Sequence, residues 1–237
     1  MREAGRISAY ALRVVGEAVR PGVTTEYLDQ IAEAAIRSQG ATPAFLGYHG
    51  FPKTLCTSLN NEIVHGIPSA RVRLAEGDLV TVDVGAVFDG YYGDNAATFP
   101  VGEVSEQASR LVETTKAALD AGVGACRAAN RLYDIGAAIQ TIAEGAGFSV
   151  VREYVGHGIG RQMHEDPNVP NYGRPGTGPK LEVGMVFAIE PMVNAGGPQT
   201  AQLADGWTVV TLDGSLSAQF EHTVAITADG PLVLTCE

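Results

Sequence analysis

Four acidic side chains and one histidine sit where this chain can least easily tolerate them. Asp83 and Asp94 fall inside LVTVDVGAVFDGYYGDNAATF, a run dense in β-branched and aromatic residues and broken once, at Asp89–Gly90. Asp-Gly is a favoured two-residue turn between antiparallel strands. With that turn, Phe88 pairs with Tyr91, Gly85 with Asp94 and Asp83 with Ala96. Asp83 and Asp94 then become diagonal neighbours on one face, about 7–8 Å apart at the backbone, and their side chains can converge. A bulge at Gly93 would shift that register. Strand interiors ordinarily exclude Asp, and the bland role for such a residue, the turn, is already filled by Asp89. Glu190 ends the apolar run Met185–Ile189 ahead of Pro191, and Glu221 lies within AQFEHTVAI, with almost no Lys or Arg near either. A half-exposed strand tolerates one such acid. Four together call for cations, because buried unpaired carboxylates are costly.

The five histidines, His49, His65, His157, His164 and His222, stand beside Gly, Pro or acidic residues. His157 lies in Gly156-His-Gly-Ile-Gly160, whose small neighbours allow close approach; a satisfied structural histidine is the plainer alternative. One imidazole with four carboxylates is a hard, oxygen-rich donor set suited to two divalent ions such as Co, Mn, Fe or Zn. Four negative charges balance two dications and leave them able to bind and acidify a bridging water. A structural zinc would want thiolates or more imidazoles, and calcium a continuous acidic loop; neither is written here.

The elements that must position these groups alternate in type. Residues 2–20 and then about 24–40 carry apolar residues at helical spacing, the first stopped by Pro21–Gly22, the second capped by Thr24 or Thr25 and ended by Gly40. Residues 41–70 read as loop and short strand. After the hairpin come helices from about Ser105 to Gly122 and Leu132 to Gly145, then the strands VVREYVGHGIG, MVFAIEPMV, WTVVTLD and AQFEHTVAIT, the last turning at Asp229–Gly230 into PLVLT. Helix, helix, hairpin, followed by helix, helix, strands, suggests a duplicated α+β unit with antiparallel strands inside and helices outside. The Gly/Pro-rich run 171–179 reads as a long loop of the kind that borders sites.

Composition narrows the class. The 237 residues carry a formal net charge of −11 and no basic run, which argues against nucleic acid as a partner. No stretch approaches a membrane span. Cys56, Cys126 and Cys236 are isolated from one another and fit a reducing, cytoplasmic setting.

With these residues assembled, the chain resembles the type I, bacterial-type methionine aminopeptidases of peptidase family M24. The resemblance rests on GYHGFP (47–52), CTSLNNEIVHGIP (56–68), VDVGAVFDGYYGDNAATF (82–99), GHGIGRQMHEDPNVPNYG (156–173), GMVFAIEP (184–191) and TLDGSLSAQFEHTV (211–224). It implies the pita-bread (creatinase/aminopeptidase) fold, an α+β pseudo-two-fold antiparallel sheet core with outer helices, as one catalytic domain over 1–237. It implies removal of the initiator methionine from peptides and nascent polypeptides, with a small second residue preferred, by attack of a metal-bridging hydroxide. The metal ligands would be Asp83, Asp94, His157, Glu190 and Glu221, with Glu190 also the proton shuttle. His65 and His164 would touch substrate and stabilise the tetrahedral intermediate. Tyr48, Phe51, Cys56 and Trp207 would line the methionine pocket, with Phe45 at its edge and Met163 at its side. A cytoplasmic monomer is expected, with the ribosome as a candidate partner. The alternatives are an Xaa-Pro aminopeptidase or dipeptidase of the same fold, whose relatives usually carry a large extra N-terminal domain, and an inactive binding relative, which would have lost ligands.

Overall fold

The structure is a computed structural model describing residues 1–237. Helices α1 (Arg2–Ala18) and α2 (Thr25–Ser38) end close to where the breakers stand. Thr24 caps α2, its hydroxyl accepting from the Tyr27 N–H at 3.2 Å. The hairpin follows as Leu79–Phe88 and Tyr91–Pro100. Its register pairs Phe88 with Tyr91, Gly85 with Asp94 and Asp83 with Ala96, and it runs through Ala86–Gly93 without a bulge. Asp89 and Gly90 both adopt positive φ, 50° and 75°, as a tight hairpin turn requires.

Alternation along these strands sorts two jobs onto two faces. Val80, Val82, Val84 and Ala86 are fully buried against Ile7, Ala11, Val15, Leu28 and Ile36 of the helices. The intervening Thr81, Asp83 and Gly85 face the other way. Gly93 has no room for a side chain, because a Cβ there would lie 2.5 Å from the Gly5 nitrogen of α1.

The second half repeats the logic. Helices α3 (Glu106–Ala125, capped by Ser105) and α4 (Leu132–Gly145) cover Phe187, Ile189, Val224 and Ile226, all essentially inaccessible. Those residues belong to a five-stranded antiparallel sheet in the order Gly230–Val233, His222–Thr227, Val186–Ile189, Gly156–Gly158, Glu165–Val169. His157 and Thr223 both pair with Ala188, so all three lie on the face turned away from the helices.

Two expected strands are interrupted. MVFAIEPMV divides into Val186–Ile189 and Met192–Asn194, and AQFEHTVAIT into Ser217–Gln219 and His222–Thr227. The breaks lie side by side, since Ile189 pairs with His222 and Met192 with Gln219. Pro191 lacks an N–H and cannot continue a ladder. VVREYVGHGIG is likewise not one strand: only Ser149–Val150 and Gly156–Gly158 are extended and paired.

A seam joins the halves where the hairpin's second strand meets the broken strand. The Asp94 N–H donates to the Thr223 hydroxyl at 3.0 Å, and that hydroxyl donates to the Asp94 carbonyl at 2.8 Å. The Glu221 N–H reaches the Ala96 carbonyl at 2.8 Å. Thr98 and Gln219 repeat the reciprocal pattern at 2.9 Å each way. Bridging by threonine hydroxyls satisfies buried backbone groups that no regular ladder reaches. The seam therefore carries both Asp94 and Glu221 inward.

Candidate metal centre

The seam and the two breaks bring the singled-out acids together. Asp94 (4% exposed), His157 (5%) and Glu221 (2%) place ligand atoms within 4.8 Å of one another. His157 Nε2 lies 3.6 Å from Glu190 Oε1 and 4.0 Å from Asp94 Oδ2. Asp83 packs its carboxyl against that of Asp94. Glu190 stands at the strand break, where Gln219 donates to its Oε2 at 3.4 Å and Asn171 donates to its backbone carbonyl at 3.0 Å. The loop 171–179 thus touches the site through its first residue.

Electrostatics make this arrangement unsatisfied by protein alone. No Lys or Arg forms an ion pair with any of the four acids; the one basic side chain near them is His157. Asp83 Oδ1, Asp94 Oδ1 and Glu221 Oε1 are buried without a hydrogen-bond partner. Burial pushes the Asp83 carboxyl up to about 7. Burial and the neighbouring carboxylates push Asp94, Glu190 and Glu221 well above their usual range. Burial holds His157 down to about 4, so its imidazole is neutral near pH 7. Its Nδ1 lies 2.9 Å from the Gly158 carbonyl; that carbonyl can only accept, which leaves Nε2 as the free lone pair facing the acids. Three orphaned, buried carboxylate oxygens and one free imidazole nitrogen fit a divalent cation.

The acids floor a cavity of about 260 Å³ whose wall is apolar. Phe45, Phe51, Cys56 and Met163 are buried, with Tyr48 and Trp207 packed against them. Phe51 meets Trp207 edge to face at 5.1 Å. Asp205 holds the Trp207 turn, its Oδ1 accepting from the N–H groups of Trp207 and Thr208 at 2.8 and 2.9 Å. Gly85, on the site face, admits this wall: a Cβ there would lie 2.8 Å from Phe45 and 2.9 Å from Ala44. Cys56 is directly paired with Asp83, and burial with that neighbouring acid raises its thiol pKa well above the usual range. It is a wall residue, not a nucleophile.

His65 and His164 stand at the cavity's edge. His65 follows the strand Glu62–Val64 at φ +61°, a conformation non-glycine residues rarely hold without a structural reason. Its ring meets Tyr154 edge-on at 5.8 Å, and burial lowers its pKa to about 4. The His164 ring centroid lies 4.2 Å from that of His157, and Tyr48 Oη is 2.8 Å from His164 Nδ1. Every residue given a role in the site from the sequence therefore borders one cavity. His49, noted there only as one of five histidines, lines it too, whereas His222 turns to Thr235 instead. Sequence reasoning missed the three polar supports Asn171, Gln219 and Thr223. Nothing in their local sequence marks them, because their partners lie 19, 29 and 129 residues away.

A neutral imidazole among buried acids, at the seam of an antiparallel core with paired outer helices, marks the class as a metal-binding protein. The model of metallopeptidase family M24 matches residues 1–228. A methionine aminopeptidase of Clostridium acetobutylicum is 53% identical over 238 residues, covering 100% of this chain and 95% of that protein. The crystal structure of a Thermotoga maritima methionine aminopeptidase superposes with a TM-score of 0.99 at 46% identity, covering 100% of this chain and 95% of that one. An Xaa-Pro dipeptidase of Bacillus anthracis shares the fold at a TM-score of 0.79 and 25% identity, but this chain covers only 59% of it. The chain belongs to metallopeptidase family M24, among the bacterial-type (type I) methionine aminopeptidases, and has the pita-bread fold.

Proposed function

We infer that the chain removes the amino-terminal methionine from peptides and nascent proteins, residues 1–237 acting as one catalytic domain. The observation that carries this is a cavity of about 260 Å³ with an apolar wall, closed at one end by buried acids. Asp83, Asp94, His157, Glu190 and Glu221 would hold two divalent ions, Co, Mn, Fe or Zn, whose charge four carboxylates balance. Such ions, when bound, supply the Lewis acidity that lowers the pKa of water and polarises a carbonyl.

The chain's own groups do the rest. The wall of Phe51, Cys56, Trp207 and Phe45 takes the methionine side chain and fixes the first peptide bond over the acids. Glu190, held by Gln219, accepts the proton of the attacking water and returns it to the leaving amine. His164 donates a hydrogen bond to the carbonyl oxygen as charge develops on it, and His65 steadies the substrate. Crowding by these imidazoles favours a small second residue. No helix is long and apolar enough to cross a membrane. The free thiols Cys56, Cys126 and Cys236 favour action in the reducing cytoplasm, where nascent chains supply the substrate; a monomeric state and the ribosome as a contact complete the reading.

The test is substrate choice. With divalent metal added, free methionine should be released from Met-Ala-Ser, while an Xaa-Pro peptide stays uncut. Cleavage of the Xaa-Pro peptide with Met-Ala-Ser intact would move the chain to the other branch of its fold.

A further inference from the structure

The turn that precedes the pocket is built more tightly than a pocket wall requires. Gly47, His49 and Gly50, on either side of Tyr48, adopt positive φ of 84°, 48° and 89°. The Gly47 N–H donates to the Phe51 carbonyl at 2.8 Å, and the N–H groups of Tyr48 and Phe51 close the turn onto the carbonyls of Phe45 and Tyr48 at 2.9 Å each. This backbone leaves Tyr48 little freedom. Its hydroxyl lies 2.8 Å from His164 Nδ1, across 116 residues of sequence, with the rings tilted at 30° and their centroids 5.5 Å apart.

We propose that Tyr48 is a positioning residue that fixes the tautomer of His164, the phenol donating to Nδ1 so that the ring proton resides on Nε2, available to the substrate carbonyl. This rests on the aminopeptidase reading and on the role given there to His164. A phenol is the acid and a neutral imidazole the base of such a pair, so the hydrogen bond runs from oxygen to nitrogen. The phenol, with a reference pKa of about 10, is protonated near pH 7 and has its proton to give. A neutral imidazole carries one N–H. If that proton sat on Nδ1, Nε2 would present a lone pair to an oxygen that gains negative charge. The tautomer therefore decides whether His164 helps or opposes the reaction. Without the hydroxyl, both tautomers populate and the ring can turn.

Tyr48→Phe tests this, because it keeps the aromatic wall and removes only the donor. On Met-Ala-Ser, kcat should fall about tenfold, the scale for losing a partner that orients a catalytic imidazole, with KM within about twofold because the pocket wall survives. In a His164→Ala background the same substitution should change kcat by less than about twofold, since nothing remains to orient. Nitrogen-15 NMR of the zinc-loaded wild-type protein should show His164 protonated on Nε2, and Tyr48→Phe should mix the tautomers. An unchanged kcat, a loss confined to KM, an equal loss with and without His164, or a wild-type His164 protonated on Nδ1 would each overturn the proposal. If the wild type releases no methionine at all, the aminopeptidase reading fails instead, and the NMR measurement still decides the tautomer.

Discussion

At the scale of single residues, Glu190 is the group whose surroundings most narrow its role. It stands at a strand break, keeps 14% of its side chain exposed toward the cavity, and is held from two sides by Gln219 and Asn171. Glu190→Gln keeps the shape and the bond to Gln219 but removes the proton carrier. At saturating metal it should lower kcat on Met-Ala-Ser by about 10²–10⁴-fold, the usual worth of a positioned acid–base group. Turnover near wild type in steady-state kinetics would remove Glu190 from proton transfer. Its oddity was legible in sequence, because Glu-Pro ends an apolar run. Gln219 was not: an amide in a strand looks ordinary until the fold brings Glu190 to it.

At the scale of elements, the hairpin was legible down to its register, because a two-residue Asp-Gly turn sets every pair beyond it. The helix limits were legible from Pro21, Gly22, Gly40 and the cap residues. The seam was not. It pairs Asp94, Ala96 and Thr98 with Thr223, Glu221 and Gln219 through side-chain hydroxyls, and such long-range pairing leaves no periodic trace. The edge strand Leu55–Leu59 was legible only as an unplaced short strand within 41–70, and Glu165–Val169 was hidden, being short and interrupted by polar and turn-forming residues. The seam yields a prediction: Thr223→Val keeps the volume but leaves the buried N–H and carbonyl of Asp94 unpaired. It should cost about 1–3 kcal/mol in urea unfolding and weaken metal binding by displacing Asp94. Wild-type values on both measures would mean that the seam does not hold the ligand.

At the scale of the whole molecule, the acid cluster places a signature on stability. In the metal-free protein burial raises the folded-state pKa of Asp83 to about 7 and lifts those of Asp94, Glu190 and Glu221 well above the carboxylate range. A raised pKa means that the folded state binds the proton more tightly. The stabilisation is full below the unfolded value near 4 and is lost as pH climbs through about 7. His65 and His157, lowered to about 4, and His164 and His222, also lowered by burial, pull the other way, but their pull ends at about pH 6.5 whereas that of the acids continues through about pH 7. Self-repulsion at a net charge of −11 adds to the loss at higher pH. Thermal melts in chelator should therefore show a lower melting temperature at pH 8 than at pH 5.5, and divalent metal should raise it more at pH 8. A metal-free protein that is more stable at pH 8 would contradict this picture of the cluster.

The most direct measurement is mass-spectrometric detection of free methionine released from Met-Ala-Ser by chelator-stripped protein, before and after divalent metal is returned. The account predicts no release from the stripped protein and recovery when manganese, cobalt, iron or zinc is added. Release at the same rate with and without metal would show that the buried acids hydrolyse the bond by some other means.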